Sequence, residues 1–380
     1  MARVRRTAFL AVHGEGDAPL ITSALTGTTE AIARDSLAYL FSVPQKKWID
    51  VDDGALVAYL CKRGLLLSDD NGEPFAGLRR RDEQLADLGW LPAAAVYHFA
   101  TRFRGGDLNL AADEVEEFGD LATASDAAAR RFVGRHGPPP PTFHSVRQNG
   151  DGVELPLVRG QGGLYDALAA RKTTRGFDRS RPLTLEQLAV LLYEVFGCRG
   201  YARLHPEIAV LRKGSPSAGS LHPVEAYPLV RHVDGLAPGL YHYSVRDHAL
   251  EPIAELTEAE ARDELATFTA GQVYFASAAA AFILTARFRR SFWKYRQHPT
   301  AYATLLMDAA HLSQTLYLVG ADLGLGTFFT NVINDKNIDD RLGLDGIEES
   351  ALAVCGCGHS SGRSRLEPQF EPYVPRETEL

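Results

Sequence analysis

Cysteine is scarce in this chain, with four in 380 residues: Cys61, Cys198, Cys355 and Cys357. So few and so scattered, they exclude a disulfide framework as the source of stability. Long apolar runs are missing as well. The most apolar stretch, residues 276–284, falls far short of the ~20 residues a membrane-spanning helix needs. At the N-terminus Arg3, Arg5 and Arg6 are followed only by Ala8-Phe9-Leu10-Ala11-Val12, too short for the apolar core of a signal peptide. A cytoplasmic protein without membrane association is therefore expected. Positive charge is in deficit, the net charge being −8, which argues against nucleic acid and anionic membrane surfaces as partners. No internal repeat is visible. The dinucleotide fingerprint is also lacking, because Gly324-Leu325-Gly326 closes a helical stretch rather than opening one.

What is there has the composition of a globular protein, 45% hydrophobic and 23% charged, and is long enough for two domains or one large domain with an extension. Composition shifts at Gly134-Arg135-His136-Gly137-Pro138-Pro139-Pro140-Pro141. Four prolines in a row favour an extended polyproline spacer, the alternative being a long surface loop inside one domain. With a spacer, the chain divides into residues 1–134, a linker over 135–162, and residues 163–380. In the first part, the stretch 52–67 reads as a helix with Gly64 as its cap, then a short buried strand Leu65-Leu66-Leu67. The turn Asp69-Asp70-Asn71-Gly72 follows in the manner of a hairpin. Helix, strand and hairpin turn make a winged-helix-like pattern, and the acidic balance favours a peptide or partner over DNA. Residues 111–133 read as a helix with a charged, solvated face.

The second part interleaves helices and strands without a regular βαβ rhythm, so an α+β fold is expected. Thr184-Leu185-Glu186-Gln187 has the form of a capping box and opens a helix through Phe196. Strands are expected over 227–232, 239–243, 278–288 and 351–355. Residues 300–319 read as a nearly all-round apolar, hence buried, helix, with His311 and Gln314 as satisfied core groups or, for Gln314, a cofactor contact.

Three stretches carry chemistry. Arg171-Lys172-Thr173-Thr174-Arg175 offers guanidinium forks and hydroxyl donors suited to a phosphate, although a basic cluster can equally end a helix. The loop from Ser215 to Tyr227, with Pro216, Ser217, Ala218 and Gly219 at its head, is small-residue backbone that can lie flat against a planar ring. Together they suggest flavin mononucleotide. Residues 287–296 interleave four arginines and a lysine with four aromatics. The stretch could stack on single-stranded nucleic acid, form a cation–π turn, or surround Lys294 and Tyr295 with cations that favour a base. Near the C-terminus Cys355-Gly356-Cys357-Gly358-His359 could place two thiols and an imidazole on one face. With no fourth ligand signalled and Arg363 and Arg365 following, a phosphate-contacting loop is favoured over a metal.

These motifs, in this order, resemble the SagB-type dehydrogenases, azoline oxidases of ribosomal peptide maturation within the FMN-dependent nitroreductase superfamily. The matching elements are Arg171 to Phe177, Pro216 to Pro223 with Glu225 and Tyr227, Gly235 to Tyr243, and Lys294-Tyr295. The resemblance covers about residues 163–365. It implies a nitroreductase-like α+β fold that binds FMN and dimerises. Arg171, Thr173, Arg175, Arg363 and Arg365 would hold the phosphate, Pro216, Ser217, Ala218 and Gly219 would lie against the ring, and Gln314 would approach it. Lys294 and Tyr295 would be the catalytic pair in oxidising a thiazoline or oxazoline, or else a side-chain or backbone bond, of a precursor peptide, with a cyclising enzyme as a possible partner. The chain departs from the pattern at Thr173, where the family has serine, and at Ala309-Ala310-His311, where it commonly has glycine before the histidine. The competing readings are an NAD(P)H-dependent nitroreductase-like enzyme on small molecules and a non-catalytic peptide-binding scaffold.

Overall fold

A computed structural model describes residues 2–14, 18–52, 54–106, 126–143, 153, 155–158, 160–362 and 370. The chain begins with β1 (Ala2–Arg6), β2 (Leu10–His13), β3 (Leu20–Ser23), β4 (Thr28–Ala31), α1 (Arg34–Ser42) and β5 (Ile49–Val51). It continues with α2 (Ala55–Lys62), β6 (Leu66–Ser68), α3 (Phe75–Leu88), α4 (Pro92–Ala100) and α5 (Asp126–His136). Next come α6 (Gly163–Ala170), α7 (Leu185–Phe196), β7 (Cys198–His205), β8 (Ile208–Lys213), β9 (Val224–Val230), β10 (Gly239–Ser244) and β11 (Ala249–Glu255). The last are α8 (Glu258–Phe268), β12 (Ala280–Arg287), α9 (Phe288–Tyr295), α10 (Ala301–Asp322), β13 (Gly326–Thr330), α11 (Asp335–Leu342) and β14 (Glu349–Gly358).

A six-stranded antiparallel sheet, in the order β11-β10-β9-β12-β14-β13, forms the centre. Strand β12 is buried along all but its last residue. That is why Ala280-Ala281-Phe282-Ile283-Leu284 carries no polar alternation: both faces of the strand are covered. Its side chains alternate between two cores. Ala280, Phe282, Leu284 and Ala286 pack with α7 and α10 through Leu188, Leu191, Leu192, Leu305, Leu312 and Leu316. Ala281 and Ile283 face the other way, toward Ala261, Leu265 and Phe268 of α8 and Ile338 of α11. The capping box on α7 is complete, with Thr184 accepting from the Gln187 backbone and the Gln187 side chain accepting from the Thr184 backbone. This is the nitroreductase-like α+β arrangement that the sequence leads one to expect.

The first hundred residues build a sheet β5-β1-β6 and a meander β2-β3-β4. Strand β6 contains the expected Leu66-Leu67, but the turn after it is not a hairpin. It leads into α3, and the partner of β6 is β1, some sixty residues earlier. These elements also share the main core. Trp90, fully buried, packs on Phe288 and Phe292 of α9 with ring centroids 4.6 and 5.0 Å away, and its Nε1–H donates to the Ile347 carbonyl at 3.2 Å. Beside it His98 bridges the Tyr302 hydroxyl and the Gly346 carbonyl, and burial pushes its imidazole down to about 3.

Two further expectations change. Helix α10 is not buried all round: Leu306 and Met307 are 41% and 59% exposed, and His311 and Gln314 are exposed rather than core groups. A helix against one face of a sheet buries only a stripe, and those residues stand on its outer side. Strand β14 runs straight through Cys355-Gly356-Cys357-Gly358, so this stretch is core strand rather than loop, and burial pushes both thiols up. Gly356 and Gly358 are required by close packing: a Cβ on Gly356 would lie 2.5 Å from the Phe328 ring. Of the expected helix over 111–133, residues 111–125 lie outside the described residues, and the remainder belongs to α5.

Candidate active site

The loop over residues 215–223 is held by α10. Ser217 Oγ donates to Asp308 Oδ2 at 2.5 Å, and the Ala218 N–H reaches Asp308 Oδ1 at 3.4 Å. Ser215 Oγ lies 2.5 Å from Thr315 Oγ1 and 3.3 Å from the His311 carbonyl. The loop closes on itself through the His222 N–H, which donates to Ser217 Oγ at 3.0 Å. Leu221 and Val224, its two apolar residues, are both buried. Asp308 is 5% exposed, and burial pushes its carboxyl up against the opposing effect of the Ser217 and Ala218 donors. Sequence reasoning missed this residue, although Asp308, His311 and Thr315 stand at i, i+3 and i+7 on a largely apolar helix. Asp308→Ala is expected to cost about 1–3 kcal/mol, because the Ser217 hydroxyl and a loop N–H lose their acceptor. Urea unfolding measures it, and a variant as stable as wild type would show that the loop is held otherwise.

Gly219 adopts a left-handed φ of 61°, flanked by Ser220 at 55° and His222 at 46°. Over it stand the ends of two side chains from α9. A Cβ built on Gly219 would lie 2.5 Å from Lys294 Nζ and 2.8 Å from Tyr295 Oη. The left-handed backbone and this close approach both favour glycine here. Helix α9 is amphipathic, with Phe288, Ser291 and Phe292 inward and Trp293 and Lys294 outward. Its tie to the loop is Arg290 Nε, which donates to the Leu221 carbonyl at 2.9 Å. The structure thus brings Lys294, Tyr295 and the head of the loop together.

The basic cluster meets α10 at Tyr317. Thr173 pairs with Thr327 of β13 as a parallel bridge, and Phe177 pairs with Ser360, so residues 173–177 run extended along the sheet edge. Thr174 and Phe177 are buried, whereas Arg171 is exposed and Thr173 and Arg175 are half-buried. Thr173 Oγ1 lies 2.9 Å from the Tyr317 hydroxyl, and the Arg171 guanidinium sits 5.4 Å from the Tyr317 ring centroid. Tyr317 is a further residue the sequence did not single out. Cluster and loop are therefore both anchored on α10, through Tyr317 and through Asp308 and Thr315. Gln314, exposed on the same helix, stands between those anchors. Arg363 and Arg365 lie outside the described residues.

Beside α9 opens a groove of about 560 Å³, with Leu221, Arg287, Arg290 and Trp293 among its walls. Behind the loop, Glu225 is paired with Arg287 at 3.0 Å and faces His242, whose Nδ1 lies 2.7 Å from Glu251. The two carboxylates raise His242 to about 9.

The chain belongs to the nitroreductase family, whose model matches residues 168–359. That family generally binds FMN. A relative from Methanocaldococcus jannaschii that carries the nitroreductase name is 31% identical over 47% of this chain and 83% of its own length. The trifolitoxin-processing protein TfxB of Rhizobium leguminosarum bv. trifolii is 33% identical over 38% of this chain, which spans 39% of that protein. The trifolitoxin operon protein TfxC from the same organism is 27% identical over 83% of this chain and 84% of its own. Among the described residues no helix is long and apolar enough to cross a membrane.

Proposed function

We propose that this chain is an FMN-dependent dehydrogenase of the SagB type, oxidising a thiazoline or oxazoline ring in a ribosomally made peptide to the aromatic azole. The observation that carries the reading is the approach of Lys294 Nζ and Tyr295 Oη to the bare Cα of Gly219. An amine and a phenol brought to the same small-residue turn suit a proton transfer at the edge of a ring seated beside it. The residues fit the cofactor: Pro216, Ser217, Ala218 and Gly219 offer the flat wall, and Arg171, Thr173 and Arg175 project donors of the kind phosphate oxygens accept. Gln314 is assigned to the ring from α10, and Arg363 and Arg365 to the phosphate.

FMN, when bound, accepts hydride from the substrate ring. The chain supplies the rest. Lys294 or Tyr295 takes the ring proton, the loop fixes the plane, and the groove with Trp293 seats the flanking peptide. The names of TfxB and TfxC, which refer to trifolitoxin processing and its operon, support a peptide substrate. Residues 1–134 are assigned to peptide recognition, residues 135–162 to a linker, and residues 163–380 to catalysis, with a cyclising enzyme as partner. A homodimer would cover the exposed Leu164, Tyr165 and Leu168 of α6 and Met307 of α10.

The test is a precursor peptide carrying azolines, incubated with FMN-loaded protein under air. Mass spectrometry should show a loss of about 2 Da per site, the two hydrogens removed. No mass change, combined with rapid NADPH-driven reduction of small nitro compounds, would support the reading suggested by the M. jannaschii relative instead. The phosphate assignment has its own readout: Arg175→Ala should weaken FMN binding about 10- to 100-fold in a fluorescence titration, the worth of a charge-assisted hydrogen bond. Unchanged FMN affinity would remove Arg175 from the site.

A further inference from the structure

Far from Gly219, where α3 and α4 meet α11, a cavity of about 220 Å³ has four cationic side chains in its lining: Arg81, Arg102, Arg104 and Lys336. Three carboxylates share that lining, but each is satisfied without Arg81 or Lys336. Asp339 accepts from the Arg102 guanidinium, from Ser350 Oγ at 2.7 Å and from the Ala351 N–H at 2.9 Å. Asp340 accepts from Arg104 at 2.5 Å. Asp345 accepts from the Ile347 and Glu348 N–H groups at 2.8 and 2.7 Å and from Gln84 at 3.1 Å. Arg102 is further committed to Asp335 at 3.3 Å.

Two cations are left over. Arg81 lies against the Phe99 ring, its guanidinium carbon 4.4 Å from the centroid, and its Nε is buried without a hydrogen-bond partner. Among the described residues its guanidinium makes no hydrogen bond or ion pair, and neither does the Lys336 ammonium. Burial together with the nearby Arg102 charge disfavours the protonated form of both. Burying the Nε of a guanidinium without an acceptor is costly, and an anion in the adjoining space, within reach of the rest of the guanidinium, is its natural complement. The turn between β3 and β4 closes one side: a Cβ on Gly27 would lie 4.0 Å from Lys336 Nζ.

The geometry points to a binding site for a compact oxyanion, a carboxylate or a phosphate group, held between Arg81 and Lys336 at the seam of the first hundred residues and α11. A guanidinium and an ammonium converging on one cavity offer a fork and a point charge to the same ligand. The site is independent of the flavin cluster and of the proposed reaction. Binding there would join α3 to α11 and stabilise the seam by linkage.

Isothermal titration calorimetry of the full chain at low salt, with inorganic phosphate and with acetate in separate runs, tests this. Saturable binding of either anion is expected in wild type and in Arg171→Ala, whose change lies in the proposed flavin-phosphate cluster. Arg81→Gln and Lys336→Gln should each lose at least tenfold in affinity. The anion bound more tightly identifies the ligand as phosphate- or carboxylate-bearing. Should Arg81→Gln fail to fold, Lys336→Gln decides, with circular dichroism confirming that it is folded. Binding of neither anion at millimolar concentration overturns the inference. So does affinity unchanged in Lys336→Gln, or binding lost only in Arg171→Ala.

Discussion

Lys294→Ala and Tyr295→Phe are expected to retain FMN yet oxidise the peptide about 10²- to 10⁴-fold more slowly, the range that a positioned general base contributes. The two side chains project from the last turn of α9 over Gly219, and neither lies among the residues assigned to the phosphate. Their loss should leave flavin absorbance and FMN affinity near wild type while kcat falls. The pair is not redundant, because an amine and a phenol differ in reach and in where the proton goes afterwards. The more damaging substitution therefore identifies the base. Unchanged turnover in both variants would sink the assignment of this pair, even if FMN binds as proposed.

Trp90→Ala should be the most destabilising single change, by about 3–5 kcal/mol in urea unfolding, as for other buried aromatics cut back to alanine. The indole is fully buried, touches His98, Phe99, Phe288, Phe292 and Tyr302, and satisfies the Ile347 carbonyl. Truncation leaves a cavity and an unsatisfied acceptor at once. The effect should reach the site, because Phe288 and Phe292 fix the inward face of the helix that ends in Lys294 and Tyr295. Turnover should fall with stability, and Trp90→Phe, which keeps an aromatic ring but loses the hydrogen bond, should cost less. A loss below about 1 kcal/mol in Trp90→Ala would mean that α9 is braced elsewhere.

The features legible in the sequence were those written locally. The Thr184–Gln187 capping box, the all-apolar β12 and the small-residue loop each depend on neighbours a few residues away. What escaped depends on partners far along the chain. Strand β6 pairs with β1, so the turn over 69–72 had no local sign that it opened a helix. Gly356 and Gly358 look like loop residues until Phe328 and Phe177 are seen filling the space a side chain would take. Asp308 and Tyr317 became readable only when the loop and residues 171–175 were placed against α10. Trp90 gave no warning that the opening hundred residues share the core of the six-stranded sheet.

Helix α10 grips the loop at Asp308 and the cationic segment at Tyr317, nine residues further on, or about 13 Å along the axis. Both grips belong to one rigid rod, so the helix acts as a gauge that sets the segments proposed as ring wall and phosphate clasp a fixed span apart. A ligand too short to reach both ends can satisfy only one. Nine residues also turn the helix by about 180°, and one residue more or fewer between them would swing Tyr317 about 100° around the axis, away from the side opposite the loop's anchor.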